Sequence, residues 1–343
     1  MADVTQMSFL PASDPEFLPY KLDLIGRRVL WLRVTAAQRR DAAFLDERAV
    51  QEGAEGGWMS LDSVMATTFD AGPSANAIFH IGHCGSTLLS RLLDGWSEVQ
   101  GLREPLPLRT LAAAWPLLPQ AQSRLSPLQA PTLLQALWAR WSRPPGPATR
   151  TVIKATSTCN GLIAPLLAHV PDLRLILLCQ PLRPYLATLL KAPASVLDAA
   201  NAAAERLSDL QARGFVEGVA LHALSLSQQC AMGWLAERVR FNALATDERV
   251  FQVDFETLLA RPEVTLQAIT SHLALDPAGI AAAIQAPAWT SYSKAQNYGY
   301  SREDRAHDLA LAVERHREEI DAGMVWVEAM LRQYPALQTV TVE

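Results

Sequence analysis

The stretch Ile78-Phe-His-Ile-Gly-His-Cys-Gly-Ser-Thr-Leu-Leu-Ser-Arg-Leu-Leu93 decides how the rest of the chain is interpreted. It begins as an apolar strand, passes through a turn with two glycines, and continues as the first turns of an amphipathic helix. Such a unit directs backbone N–H groups and a helix N-terminus at an anion. Gly82 and Gly85 let the backbone bend and approach a ligand, and Ser86 and Thr87 can add hydroxyl donors. The stretch predicts an anion-binding loop or, with equal weight, an ordinary strand-to-helix connection.

The spacing of this loop differs from that of a Walker A motif. Gly82-His-Cys-Gly-Ser-Thr87 has two residues between its glycines and no lysine before the hydroxyls. A Walker A loop needs four residues between the glycines and a lysine before the Ser or Thr. The loop alone therefore does not identify its ligand.

Composition narrows the class of protein. The 343 residues allow one large α/β domain or two small ones. A net charge of −5 gives no general attraction to nucleic acid or anionic membranes, so any polyanion must bind at a local site. We find no signal-peptide pattern at the N-terminus and no apolar run long enough to span a bilayer. The four cysteines are scattered without a C-x-x-C pair, which predicts reduced thiols in the cytoplasm rather than a zinc site or disulfides.

Short β-rich runs alternate with helical patterns along the chain. The runs are apolar on consecutive residues, as in strands covered on both faces. The alternation predicts a three-layer α/β fold with a mostly parallel central sheet flanked by helices. The predicted strands are Ala77–Ile81, Arg150–Ile153, Leu173–Cys179 and Arg249–Phe255. The predicted helices are Thr87–Trp96, Pro131–Trp141, Cys159–His169, Pro184–Gln211 and Val219–Arg240, followed by a helical stripe over residues 309–331.

The first part of the chain has a different pattern. A loop-forming stretch over residues 67–75 contains Asp70, Gly72 and Pro73, and it predicts a boundary there. We therefore expect a small α/β accessory segment over residues 1–74 and one α/β domain over residues 75–335.

Three later segments connect the loop to a known family. They are Gln100–Leu106, Thr151–Ser157 and Phe251–Leu275, and the last contains Phe255-Glu-Thr-Leu followed by Pro262-Glu-Val-Thr-Leu. In this order they resemble the sulfotransferases that use 3′-phosphoadenosine 5′-phosphosulfate (PAPS). The pattern is nearest to the protein-tyrosine sulfotransferase branch. The resemblance runs from the strand before the loop to Leu275, and it implies the P-loop NTPase-like fold of that family.

The resemblance assigns roles to residues of this chain. It implies that the loop wraps the 5′-phosphosulfate of PAPS through Gly82, Cys84, Gly85, Ser86 and Thr87. It makes Glu104 the base that takes the acceptor proton, and it places Lys154 against the transferred sulfuryl group. His83 stands where the family usually has Arg or Lys, and we include it among the catalytic candidates. The product would be 3′-phosphoadenosine 5′-phosphate (PAP), and no metal is expected.

The chain departs from the family pattern at the next strand. The family ends this strand in an arginine that grips the 3′-phosphate, with a serine on the following helix, whereas this chain has Cys179 and Gln180. We expect Arg183 to replace the missing cation and Thr188 to replace the serine. Arg302 and Arg305, which have aromatic neighbours, are reserve candidates for the same phosphate.

Other residues near these motifs have simpler interpretations. His80 lies within a strand and is expected to be a core histidine with its hydrogen bonds satisfied. Glu256 and Arg261 are expected to stabilise the fold by pairing with backbone groups or helix ends rather than by contacting the substrate. A positive field at the anion site would lower the pKa of the Cys84 thiol.

The predicted function is transfer of a sulfuryl group from PAPS to a hydroxyl or amine acceptor. The acceptor is left open as a hydrophobic small molecule, a lipid or a peptide, and the oligomeric state is not predicted. Two alternatives remain: a transferase or kinase that uses another nucleotide such as ATP, and a catalytically silent binding protein with a degenerate donor site.

Overall fold

The computed structural model describes residues 13–46, 49, 53–69, 72–292 and 295–340. Its strands, in chain order, are β1 (Phe17–Asp23), β2 (Arg28–Arg33), β3 (Gly56–Ser60), β4 (Asn76–His80), β5 (Val99–Arg103), β6 (Arg150–Lys154), β7 (Leu175–Cys179), β8 (Val250–Asp254), β9 (Ser291–Tyr292) and β10 (Ala295–Gly299). Its α-helices are α1 (Ala36–Asp41), α2 (Leu61–Ala66), α3 (Ser86–Leu93), α4 (Leu106–Ala114), α5 (Gln129–Trp141), α6 (Ile163–His169), α7 (Leu182–Leu190), α8 (Pro193–Ala212), α9 (Leu226–Asn242), α10 (Phe255–Ala260), α11 (Pro262–Leu273), α12 (Gly279–Ile284), α13 (Arg302–Arg315) and α14 (Arg317–Gln333).

The central sheet has five parallel strands in the order β5-β6-β4-β7-β8. Every residue of β4 and β7 is buried, because helices cover both faces of the sheet. This confirms the predicted α/β class, and the four predicted strands differ from the observed ones by at most two residues at either end. The sequence prediction missed β5. Its residues Val-Gln-Gly-Leu-Arg lack an apolar run, and only pairing with β6 makes them a strand.

The prediction of one helix over residues 184–211 is wrong. The structure has two helices, α7 and α8, separated by Lys191 and Ala192. Pro193 is the first residue of α8, where its missing N–H costs nothing, but it could not continue a helix from Leu190. The break lets α8 turn away and pack along α9.

The N-terminal segment forms its own antiparallel sheet, β1-β2-β3, and packs on the central domain. Arg140 of α5 donates hydrogen bonds to the carbonyls of Asp14 and Phe17. Arg103, at the end of β5, is completely buried and donates to the carbonyls of Arg39, Arg40 and Ala42. These arginines tie the segment to the sheet through backbone carbonyls. The boundary at residue 74 stays a prediction.

The topology places the loop and Lys154 at one edge of the sheet. Parallel strands end at the same edge of a sheet, and ligands of open α/β sheets bind outside those ends. The loop that opened the sequence analysis follows β4, the middle strand, while Lys154 ends the neighbouring β6. Among the described residues, no helix is long and apolar enough to cross a membrane.

Candidate functional site

The loop after β4 has a conformation that only glycine adopts easily. Gly82 and Gly85 have φ of 91° and 73°, and His83 between them also has a positive φ of 52°. A Cβ on Gly85 would run into the ring of Phe255, which packs directly against this glycine. Phe255 belongs to the Phe-Glu-x-Leu motif, so the structure joins two segments that are about 170 residues apart in sequence.

The N-terminus of α3 lies at the end of this loop. Gly85 is its N-cap residue, and it has no side chain that could accept a hydrogen bond from the first turn. The first N–H groups of the helix are therefore left for another acceptor. Ser86 and Thr87, in the first turn, are both buried. The geometry suits a bound anion, and anion binding at this loop stays a prediction.

His80 holds the loop in place. Its Nδ1 accepts a hydrogen bond from the Gly82 N–H at 3.0 Å, so its Nε2 carries the proton and donates to the Ala155 carbonyl at 3.0 Å. The expectation of a satisfied core histidine is therefore confirmed. One consequence is that the Gly82 N–H is already used within the protein and cannot also bind a ligand.

A buried polar cluster connects the end of β4 to helix α9. Asn160 donates to the His80 carbonyl at 3.0 Å and to the Glu237 carboxylate at 2.8 Å. Glu237, on α9, is 2% exposed and pairs with Arg206 at 2.6 Å and Arg240 at 3.2 Å. Arg206 also pairs with Glu205 at 3.0 Å and Arg240 with Asp209 at 3.2 Å, so each arginine of this cluster has carboxylate partners. Helix α9 thus fixes the end of β4 through Asn160.

Lys154 and Glu104 form an ion pair at the ends of β6 and β5. The Lys154 ammonium contacts the Glu104 carboxylate, and the Glu104 N–H donates to the Lys154 carbonyl at 2.7 Å. Lys154 is 2% exposed, and Glu104 is held at a positive φ of 57°. With this backbone conformation the Glu104 side chain reaches Lys154 at the end of the neighbouring strand β6. The structure therefore brings together the two residues that the resemblance named as base and sulfuryl-binding lysine.

This pair lies beside the loop. Ile78 of β4 is in register with Lys154, and the Ser157 side chain, three residues after Lys154, lies next to Gly82. The positive charge of Lys154 also acts on Cys84 within the loop.

Phe44, which the sequence analysis did not single out, lies over the Lys154 ammonium. The Lys154 ammonium lies 5.7 Å from the centroid of its ring. The ring is held there because the next residue, Leu45, donates its N–H to the Arg103 carbonyl at 2.9 Å. The N-terminal segment therefore forms part of the candidate site. Sequence alone gave no signal for this, since a single phenylalanine in a charged stretch has no pattern.

The expectation for Cys84 is wrong. Burial, together with the neighbouring Cys179, raises the pKa of the Cys84 thiol well above its ordinary value, and Lys154 offsets this only in part. The thiol is completely buried and donates to the Leu178 carbonyl at 3.3 Å. The side chain points into the core, so only the backbone of Cys84 is available to a ligand.

The three arginines that were predicted to bind the donor each contact a neighbouring side chain. Arg305 lies 4.9 Å from the Phe255 ring centroid and donates two hydrogen bonds to the Glu256 carboxylate, so Glu256 pairs with a side chain of α13 and not with the backbone group or helix end that was expected. Arg302 lies 4.9 Å from the ring centroid of Trp289. Arg183 is exposed and pairs with Asp321 at 3.2 Å.

Arg183 also lines a groove between α7, α13 and α14, with a volume of about 510 Å³. Thr188, one turn along α7, donates its hydroxyl to the Pro184 carbonyl at 2.7 Å. Thr188 is therefore bonded within α7, and Arg183 is paired with α14. Neither contact is made with the loop.

His83 and Gln180 meet at the loop. The His83 side chain is exposed, while its carbonyl accepts a hydrogen bond from the Gln180 amide at 3.3 Å. Gln180 is 1% exposed, and its own carbonyl accepts from the Trp234 indole at 2.9 Å. Gln180 is thus a neutral group that holds the loop at the end of β7. Within the described residues there is no group of three or more side chains that could bind a metal ion.

Comparison with known proteins gives only distant structural matches. No protein-family model and no curated sequence matches the chain. The sulfotransferase domain from the curacin biosynthetic pathway is 15% identical over 71% of this chain and 91% of that one, with a TM-score of 0.38. Sulfotransferase STF9 from Mycobacterium avium is 14% identical over 74% and 79%, with a TM-score of 0.38.

A mouse sulfotransferase, SULT7A1, solved with PAP, is 13% identical over 79% of this chain and 95% of that one, with a TM-score of 0.35. All three are sulfotransferases. At such low identities the function has to be argued from the residues of this chain.

Proposed function

We propose that this protein is a sulfotransferase that moves the sulfuryl group of PAPS to a hydroxyl or amine acceptor. The observation that carries the proposal is the position of two features at one sheet edge. These are the uncapped N-terminus of α3 and the buried Lys154–Glu104 pair. An anion site beside a paired acid and base is what transfer of an anionic group requires.

The loop would hold the donor's 5′-phosphosulfate. The N–H groups of the first turn of α3 and the hydroxyls of Ser86 and Thr87 supply donors, and the helix dipole favours the negative charge. Gly85 is essential to this arrangement, because any side chain there would displace Phe255. His83, at the exposed side of the loop, would add a further donor.

In the transfer itself, the bond between sulfur and the bridging phosphate oxygen breaks while a bond forms between sulfur and the acceptor oxygen or nitrogen. The electron pair of the broken bond stays on the phosphate of PAP, and the Lys154 ammonium offsets the charge that develops there. The acceptor proton passes to the Glu104 carboxylate. Such transfers have loose transition states, so positioning and cationic groups supply most of the catalysis.

A nucleotide panel tests the donor. Thermal unfolding is followed with PAP, AMP and ATP at matched concentrations, because a ligand that binds the folded state stabilises it by about 2.7 kcal/mol at one hundred times its Kd. We expect PAP to raise the melting temperature most. A larger shift with ATP would favour the alternative nucleotide transferase, and no shift with any of the three would favour a silent binding protein.

A lysine variant tests the chemistry. Lys154→Met keeps the length of the apolar side chain and should reduce turnover of PAPS by about 10²- to 10³-fold, the range seen when a group that stabilises transition-state charge is removed. Lys21→Met, on the exposed side of β1, is the matched control and should keep full turnover. Turnover close to that of the wild type in the Lys154 variant would remove this residue from the mechanism.

A further inference from the structure

His80 connects two parts of the candidate site that the chain supplies from different strands. It is the last residue of β4, where it follows three apolar residues, and it is 6% exposed. An aliphatic side chain would pack at this position without the cost of burying a polar ring. The imidazole instead has both of its nitrogens hydrogen-bonded to backbone groups, one in the anion loop and one at the end of β6.

The first of these backbone groups begins the anion loop. The Gly82 N–H donates to Nδ1 of His80 at 3.0 Å, and Gly82 has a φ of 91°. Gly82 lies beyond the end of β4, so its N–H is held by a side chain rather than by a neighbouring strand. The turn to the N-terminus of α3 follows directly. His80 therefore fixes the start of the loop that would hold the donor.

The second backbone group is the carbonyl of Ala155, the residue that follows Lys154. Nε2 of His80 donates to this carbonyl at 3.0 Å. The preceding carbonyl, that of Lys154 itself, accepts from the Glu104 N–H at 2.7 Å. Two successive carbonyls at the end of β6 are thus held from the ends of both neighbouring strands, β4 and β5. These bonds fix the backbone that carries the Lys154 ammonium.

His80 is itself held by its surroundings. Its carbonyl accepts from the Asn160 amide at 3.0 Å, and Asn160 also donates to the buried Glu237 carboxylate at 2.8 Å. A neutral imidazole that accepts at Nδ1 and donates at Nε2 has one tautomer and one ring orientation. Buried networks with their polar groups satisfied make the local structure rigid, and rigid supporting groups are what a catalytic arrangement needs.

We propose that His80 is a positioning residue for sulfuryl transfer, and that it sets the separation between the anion loop and the Lys154 ammonium. It acts through Gly82 and Ala155 rather than by touching the donor or the acceptor. This role rests on the proposed function, in which the loop holds the phosphosulfate and the lysine offsets the charge that develops on the bridging oxygen. A misplacement of about 1 Å between such groups costs about 100-fold in rate.

Two substitutions each keep one of the two hydrogen bonds. In His80→Asn, the amide oxygen is bonded to Cγ, as Nδ1 is, so it still accepts from Gly82, but the side chain is too short to reach Ala155. In His80→Gln, the amide nitrogen takes the place of Nε2 and donates to Ala155, while Gly82 loses its acceptor. The matched controls are His272→Asn and His272→Gln, because Nε2 of His272 lies 3.1 Å from the Leu175 carbonyl at the opposite, amino end of β7.

For each variant, kcat and KM are measured with PAPS, and the Kd for PAP is measured by calorimetry. Circular dichroism and the melting temperature show whether the variant is folded. We expect His80→Asn to lose about 10- to 100-fold in kcat with little change in KM, because the loop stays held while Lys154 shifts. We expect His80→Gln to raise KM and the Kd for PAP by about 3- to 10-fold, the effect of one hydrogen bond, with kcat kept within about twofold. The His272 controls should lower the melting temperature at most and leave kcat and KM unchanged.

A combination with Lys154→Met separates positioning from a general loss of stability. If His80 acts through Lys154, His80→Asn should cause no further loss of kcat once the lysine has been replaced, because the effects of residues that act as a unit do not add. A full additional loss in the Lys154→Met background would overturn the inference. So would equal changes of kcat and KM in both His80 variants, or His80 variants that behave like the His272 controls.

Hydrogen exchange at the Gly82 amide tests the connection without any donor. Measured by NMR, this amide should be protected in the wild type and in His80→Asn, and it should exchange about 10-fold faster in His80→Gln. Equal exchange in the three proteins would overturn the inference even if PAPS is the donor. A wild type with the expected exchange that neither turns over PAPS nor binds PAP would refute the proposed function, and it would leave His80 as the connection between the loop and β6.

Discussion

Replacing Gly85 by alanine should destabilise the protein more than a glycine-to-alanine change at either of two other positions. The backbone at Gly85 has a φ of 73°, which costs an L residue about 1–2 kcal/mol. The new methyl group would also overlap the Phe255 ring, which Arg305 covers from 4.9 Å, so the ring cannot move without disturbing its neighbours. Overpacking of this kind costs about 1–3 kcal/mol. The two effects together predict a loss of about 2–5 kcal/mol in the free energy of unfolding.

Substitutions at two other glycines allow the cost of the positive φ to be measured separately from the cost of steric overlap. Gly82 has a φ of 91°, but the nearest atom to an added Cβ is the Ser157 hydroxyl at 3.6 Å, an ordinary contact. Gly82→Ala should therefore show the strain alone, about 1–2 kcal/mol. Gly233 lies inside α9 with no atom within 4 Å of an added Cβ, so Gly233→Ala should be neutral or stabilising by up to about 1 kcal/mol.

The assay is urea unfolding followed by circular dichroism, with the slope of the transition compared to exclude a change in the unfolded state. The expected order of stability is Gly233→Ala, wild type, Gly82→Ala and then Gly85→Ala. A Gly85→Ala protein within 0.5 kcal/mol of the wild type, an interval set by the usual scatter of surface substitutions, would refute both the positive φ and the packing of Phe255 on the loop.

Three further substitutions or treatments examine the surroundings of the site. Glu237→Gln should lower the free energy of unfolding by about 1–3 kcal/mol, because Arg206 and Arg240 lose the buried carboxylate that they share and keep only their pairs with Glu205 and Asp209; urea unfolding measures this, and a loss below about 0.5 kcal/mol would contradict the buried cluster. Phe44→Ala should uncover Lys154, so this lysine should be acetylated several-fold faster by acetic anhydride, as read by peptide mass spectrometry against Lys21; equal labelling would place Phe44 away from the site. The cysteines should resist Ellman's reagent at pH 8 until the protein unfolds, because all four are buried and burial raises the pKa of Cys179 to about 11. At that pKa only about 10⁻³ of the Cys179 thiol is ionised, so its reaction should speed up as the pH rises toward 11, and prompt reaction of any native thiol at pH 8 would contradict the described core.

The sequence placed Lys154 and the loop through their position in strand and helix patterns, whereas it assigned Glu104 only through the resemblance. Lys154 ends an apolar run, and the loop from Gly82 to Thr87 lies between a strand and a helix pattern, so topology alone brings them to one edge. The sequence could not show that Lys154 and Glu104 would pair. The pairing depends on β5, whose residues have no strand pattern, and on the positive φ at Glu104.

The residues that sequence analysis missed or misjudged act across long separations in the chain. Phe44 of the N-terminal segment lies 5.7 Å from the Lys154 ammonium, although the two residues are about 110 positions apart in the sequence. Cys84 was expected to sit in a positive field, but its side chain turns into the core, where burial dominates its pKa. None of these relations has a sequence period or spacing, because each is set by how helices and sheets pack.

The sequence by itself determined the α/β class, the strand–loop–helix unit at residues 78–93 and the candidate anion loop, because these depend on local backbone preferences and on the burial of apolar runs. Only the tertiary structure decided which groups around that loop remain available for a ligand. It commits the Gly82 N–H to His80 and engages Arg183 with Asp321 on the surface. The physical reason is that charge compensation in a protein depends on distances between side chains brought together by folding, which the order of residues along the chain does not contain.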